Sequence, residues 1–139
     1  MTELARTFRE LEIWKLAVEI AKQTYLLTAH LPDDERFGLV AQMRRAAVSL
    51  SANIAEGFRR QGNKEFRQFL RIALGSAIEL ESHCELCKEL FDGQWPETES
   101  LLMQLDRFER MTNSMWTKLG QWERTGTQSP SYPVTQVRV

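Results

Sequence analysis

Histidine, cysteine and proline are scarce in this chain of 139 residues, with 2, 2 and 4 of them. Each scarcity excludes something. The two cysteines, Cys84 and Cys87, are too few and too close in sequence to frame a disulfide scaffold, which fits a reducing compartment. They fall on the same helical stripe as Leu80 and Phe91, so "HCELC" reads as core, where cysteine behaves as a small hydrophobe. A four-ligand zinc set would need both His83 and the distant His30, and no Glu-x-x-His pair of the di-iron kind occurs; no metal is expected. With these two histidines, acid–base catalysis has poor candidates. Glycine-rich phosphate loops, serine-nucleophile elbows and zinc-protease motifs are all missing, so neither an enzyme nor a cofactor is expected. No apolar run approaches the roughly 20 residues of a membrane helix. The start, "MTELARTFRELEIWK", lacks the apolar segment of a signal peptide, and the expectation is a cytoplasmic protein that avoids membranes.

Net charge is also nearly absent, at −1, but the total conceals a split. From Arg36 to Arg71 there are eight basic and two acidic residues, whereas from Glu79 to Glu109 there are nine acidic and two basic ones. Such a chain can hold a polyanion on one surface or pair with its own copies head to tail; ordinary solvated charge is the plain alternative.

What is abundant is apolar residues at helical spacing. A first helix is predicted from about Arg9 to His30, with Leu11, Trp14, Ala17, Val18, Ala21, Tyr25 and Thr28 on one face, stopped by Pro32. A second spans about Phe37 to Phe58 on a stripe of Leu39, Met43, Ala46, Leu50, Ile54 and Gly57. Asn63 is placed as the cap of a third helix that carries Phe66, Phe69, Leu70, Ala73, Ala77, Leu80, Cys84, Cys87 and Phe91. Gly93 and Pro96 mark a turn, and a fourth helix carries Leu101, Leu102, Leu105, Phe108, Met111, Met115, Leu119 and Trp122. Short connections make neighbours antiparallel. The fold class is therefore all-α, an up-down-up-down four-helix bundle over residues 1–124, followed by a disordered, flexible tail over 125–139.

The second helix lacks a polar side. Opposite its core stripe lie Ala41, Val48, Ala52 and Ala55, a second stripe of small residues, and between Phe37 and Gly57 only Arg44, Arg45 and Glu56 carry charge. A helix of this kind is expected to be covered on more than one face, and another copy of the chain is the natural cover. The competing reading is that alanine simply favours helix. Alongside run Gln42, Arg45, Ser49, Asn53 and Glu56, one turn apart and able to hydrogen-bond in series as a structural polar stripe. Arg44, Arg45, Arg59, Arg60, Lys64, Arg67 and Arg71 make up the basic set. On a rigid surface these suit phosphates, by bidentate pairing in the case of arginine, and so suggest nucleic acid.

"FGLVAQMRRAAVSLSANIAEGFRR" followed by "KEFRQFLRIALGSAIELESHCEL" resembles the four-helix bundle family encoded in intervening sequences of bacterial 23S ribosomal RNA genes. Phe37-Gly38-Leu39, Gln42 to Ala46, Ser49-Leu50-Ser51, Asn53 to Gly57, Phe66, Phe69 and Gly75-Ser76 carry the likeness, which spans about Phe8 to Trp122. Met43 replaces the family's usual isoleucine, and Ser51 stands where proline is frequent. The resemblance implies a homo-oligomer, typically a homopentamer, that binds RNA or DNA through a basic surface. Through relatives similar to the accessory variability determinant of diversity-generating retroelements, it implies a reverse transcriptase as a further partner. The alternative is a scaffold for structure or protein interaction, in which the arginines pair with acids across subunit contacts. A near-neutral pI of 6.2 leans toward that alternative.

Overall fold

The computed structural model describes residues 4–92, 95–124 and 132–133. Four helices dominate: α1 (Glu12–Thr28), α2 (Leu39–Arg59), α3 (Asn63–Phe91) and α4 (Pro96–Arg124). A 3₁₀ turn at Phe8–Glu10 precedes α1 and another at Asp33–Glu35 precedes α2. Each helix packs on its two neighbours in a square, α1 on α2, α2 on α3, α3 on α4 and α4 back on α1. This is the antiparallel up-down-up-down bundle expected from the short connections.

Core composition follows the spacing of the aliphatic residues. Met43, Leu50 and Ile54 of α2, Phe66, Leu70, Ala73, Ala77 and Leu80 of α3, and Leu101, Leu105 and Phe108 of α4 are fully buried. Cys84 and Cys87 are buried among them, with Cys87 Sγ 3.7 Å from Met43 Sδ. Burial raises both thiols, first and foremost: Cys84 to about 12, helped by the charges of Cys87, Glu85 and Glu81, and Cys87 to about 11, helped by Glu35. Among the described residues no group of three or more potential metal ligands converges, and no helix is long and apolar enough to cross a membrane.

Three local expectations are corrected. The buried face of α1 is Ile13, Leu16, Ala17, Ile20, Thr24, Leu27 and Thr28, rotated by about 100° (one residue's turn) from the predicted stripe. Trp14 and Tyr25 drew the prediction toward them, yet Tyr25 is 45% exposed. An amphipathic ring can lie at a seam with its polar end in water, which leaves the interior to aliphatic residues. The cap of α3 is Gly62, in an extended conformation, and Asn63 is its first helical residue, buried. Gln61 before it turns the chain at a φ of 59°. Finally, α1 begins later than predicted because Phe8–Glu10 forms the 3₁₀ turn.

Pro96 opens α4 as expected, where a missing N–H costs nothing. Gly93 lies outside the described residues, as does the side chain of Trp122. Most of the tail predicted over 125–139 does too; within it, Tyr132–Pro133 (β2) pairs antiparallel with Leu4–Ala5 (β1).

Candidate nucleic-acid interface

The floor of the candidate surface is made by small residues. On the outer face of α2, Val48 is 48% exposed, Ala52 is exposed, and Ala41 and Ala55 are half-buried. This is the side pointing away from Met43, Leu50 and Ile54, as the spacing predicts. Toward its C-terminal end the face widens into an open groove of about 570 Å³, lined by Phe8, Arg9, Ala52, Ala55, Glu56, Arg59 and Arg60. Methyl side chains at 52 and 55 keep the floor low, and three guanidinium groups surround it.

An aromatic ring organises these arginines. Arg9 lies over the Phe8 ring at 4.5 Å and Arg59 over the same ring at 5.7 Å. Arg60 pairs with Glu56 at 2.8 Å, one turn back along α2, and lies 5.5 Å from the Phe69 ring. Stacking on a ring holds a guanidinium's direction while leaving its N–H groups available. Phe8 and Arg9 belong to no predicted site. Their sequence clue is faint, a phenylalanine beside an arginine in a segment without a recognised motif.

The seven basic residues do not form one surface. Arg59, Arg60 and Lys64 are exposed around the α2–α3 turn. Arg44 and Arg45 lie about 22 Å away along α2, at 1.5 Å per residue. Arg44 is half-buried against α1: its Nε donates to Thr28 Oγ1 at 2.9 Å and its guanidinium covers the Tyr25 ring at 4.4 Å. Arg45 is exposed on the outer face near Val48.

Arg67 and Arg71 turn toward α4 instead. Arg67 Nε donates to the Trp116 carbonyl at 3.0 Å and its guanidinium lies 3.8 Å from the indole centroid. Arg71, exposed, lies 5.5 Å from the same ring. Gly120 makes this possible, because a Cβ there would come within 2.7 Å of the Arg67 guanidinium.

The polar stripe divides as well. Ser49 and Asn53 form the seam between α2 and α3: Ser49 Oγ and Ser76 Oγ are 3.0 Å apart, and Asn53 Nδ2 donates to the Ser49 carbonyl at 2.8 Å and to its Oγ at 2.9 Å. Gln42 and Glu56 are exposed at its edge. Of these hydrogen bonds only Ser49–Ser76 crosses from α2 to α3, while the Asn53 bonds stay within α2 and hold the Ser49 hydroxyl in place.

With this geometry in view, the comparison of sequences is informative. Residues 9–114, well over half of the chain, match the family described as 23S rRNA-intervening sequence protein. The chain belongs to that family. The match covers α1, α2 and α3 entire and most of α4, so the groove apart from Phe8 lies within the matched residues, whereas Trp116 and Gly120 of the Arg67 seam lie just beyond them. No curated protein matches the chain.

Proposed function

We propose that this 23S rRNA-intervening sequence protein is a non-enzymatic, self-assembling bundle that holds nucleic acid on its basic surface. The observation that carries the reading is the groove over Ala52 and Ala55, bordered by Arg9, Arg59 and Arg60. Its single carboxylate, Glu56, is already engaged by Arg60. A phosphate backbone running along α2 would meet cations at both margins and no free acid. Contacts of this kind give affinity without much sequence specificity. The family's name ties it to ribosomal RNA genes, and an RNA-handling enzyme such as a reverse transcriptase is the partner class that the resemblance implies.

Of the outer stripe of Ala41, Val48, Ala52 and Ala55, the part from Ala41 to Val48 lies beyond the groove and supports self-association, as a ring of five in the form the resemblance suggests. Small residues allow helices to approach closely, and an outer face of one helix with so few charges favours cover by protein.

The test is a salt titration of a fluorescent structured RNA and a matched DNA duplex, with subunit number measured by light scattering on the same samples. Binding whose logarithm falls steeply with log salt is expected, and Arg59→Glu with Arg60→Glu should weaken it at least tenfold without changing the mass. Absence of binding at low salt from an intact assembly rejects the reading. Loss of assembly in the double variant makes these arginines subunit contacts and favours the scaffold.

A further inference from the structure

Thr112, like Thr98 in the first turn of α4, departs from a pattern that three other helical threonines keep. Thr24 Oγ1 returns to the Ile20 carbonyl at 2.7 Å, Thr28 Oγ1 to the Thr24 carbonyl at 2.8 Å, and Thr117 Oγ1 to the Asn113 carbonyl at 3.0 Å. Thr112, only 1% exposed, has a buried Oγ1 with no hydrogen-bond partner. A buried hydroxyl left in this state is uncommon in folded proteins. It lines a cleft of about 150 Å³ between α3 and α4, walled by Leu70, Arg71, Leu74, Thr112, Asn113 and Trp116.

From these walls we infer that the cleft receives one unstacked base of a single-stranded nucleic acid, whose phosphate is met by Arg71. This rests on the nucleic-acid reading above and makes it more specific. The volume is well below the roughly 300–1,000 Å³ of pockets for drug-sized ligands, and it suits a single flat ring system. Leu70, Leu74 and the Trp116 indole supply apolar surface that a bare phosphate would not use. Thr112 Oγ1 and the Asn113 amide supply a hydrogen-bonding edge, which a purely apolar ligand would leave unmatched.

Arg71 is exposed at the rim, so a charge there stays in water while the ring goes in. Trp116 is held ready: Arg67 clamps it through its carbonyl and its ring, in the space that Gly120 leaves. A base within a duplex has no free face to offer such a wall, whereas a single strand can splay one out and stack it on an aromatic side chain.

The experiment compares a single-stranded hexaribonucleotide carrying one 2-aminopurine with a blunt RNA duplex, both dye-labelled for anisotropy, against wild type, Thr112→Val and Trp116→Leu. Wild type should bind the single strand and quench the 2-aminopurine. Thr112→Val, which keeps the side-chain shape and hence the fold, should weaken single-strand binding about fivefold. Trp116→Leu should weaken it about tenfold and abolish the quenching. Duplex binding should change less than twofold in either variant. Single-strand affinity unchanged in Thr112→Val, or quenching retained in Trp116→Leu, removes the base site and leaves the groove reading standing. Failure of wild type to bind either probe at low salt overturns the groove reading, and this site with it.

Discussion

Glu109 is a carboxyl in surroundings that oppose its charge. It lies on α4 one turn before Thr112, half-buried, with Oε2 unpartnered. Burial, then a hydrogen bond and the charge of Glu81 from α3, then the charge of Asp106, raise its pKa from 4.5 to about 7. Because folding raises this pKa, protonated Glu109 contributes stability that is fully present below the unfolded value. That contribution is lost as pH rises through about 7. Glu109→Gln keeps the shape and cannot ionise. It should raise the melting temperature by about 2 °C at pH 8 and leave it unchanged at pH 5. An equal effect at both values, measured by thermal melts in matched buffers, would show that the carboxyl ionises normally. Cys84 and Cys87 share the same physical cause, since burial holds them as thiols, which are poor ligands and poor nucleophiles.

Among the elements, α2 and α3 approach each other through Gly57. A Cβ at that position would lie 2.8 Å from both the Phe66 ring and the Phe69 Cβ. Gly57→Ala therefore gains about 1 kcal/mol of helix propensity and loses more to overpacking. A net destabilisation of about 1–2 kcal/mol is expected, seen as a lowered urea midpoint with unchanged slope. A midpoint that rises would mean that the two phenylalanines relax freely. The sequence makes this level of organisation legible, because Pro32, Gly62 and Pro96 punctuate the chain and the stripes of α2 and α3 are narrow. It misplaces the face of α1, where apolar residues cover a wide arc and Trp14 and Tyr25 bias its centre. The outer stripe of α2 and the Ser49–Asn53 seam could be read because they repeat within one helix. The groove and the cleft could not. One needs Phe8 and Arg9 folded against α2; the other needs Arg67 to meet Trp116, 49 residues away, over a glycine. Contacts between helices distant in sequence leave no periodicity to detect.

For the whole molecule, the split of charge becomes a difference between surfaces. Arg59, Arg60 and Lys64 gather at the α2–α3 turn, while Glu81 and Glu109 face each other farther along the α3–α4 seam. Arg71 and Trp116 lie between these regions, on the same seam. The proposed assembly depends on the small stripe of α2. Val48→Arg, at an exposed position outside the groove, should leave the monomer folded by circular dichroism and reduce the light-scattering mass to that of one chain. An unchanged mass would reject this stripe as a subunit contact.

The square arrangement of the helices also sets an order of events. Three of its four contacts join helices adjacent in sequence, and only α1 with α4 closes across the length of the bundle. Little loop entropy stands in the way of such a topology, and helical bundles with mainly local contacts fold within microseconds to milliseconds. Meeting a second chain at cellular concentrations takes longer and varies with concentration. On the proposed function, each copy is therefore finished, with its groove and cleft shaped, before it would meet either another copy or a nucleic acid, and recognition would start from a completed surface.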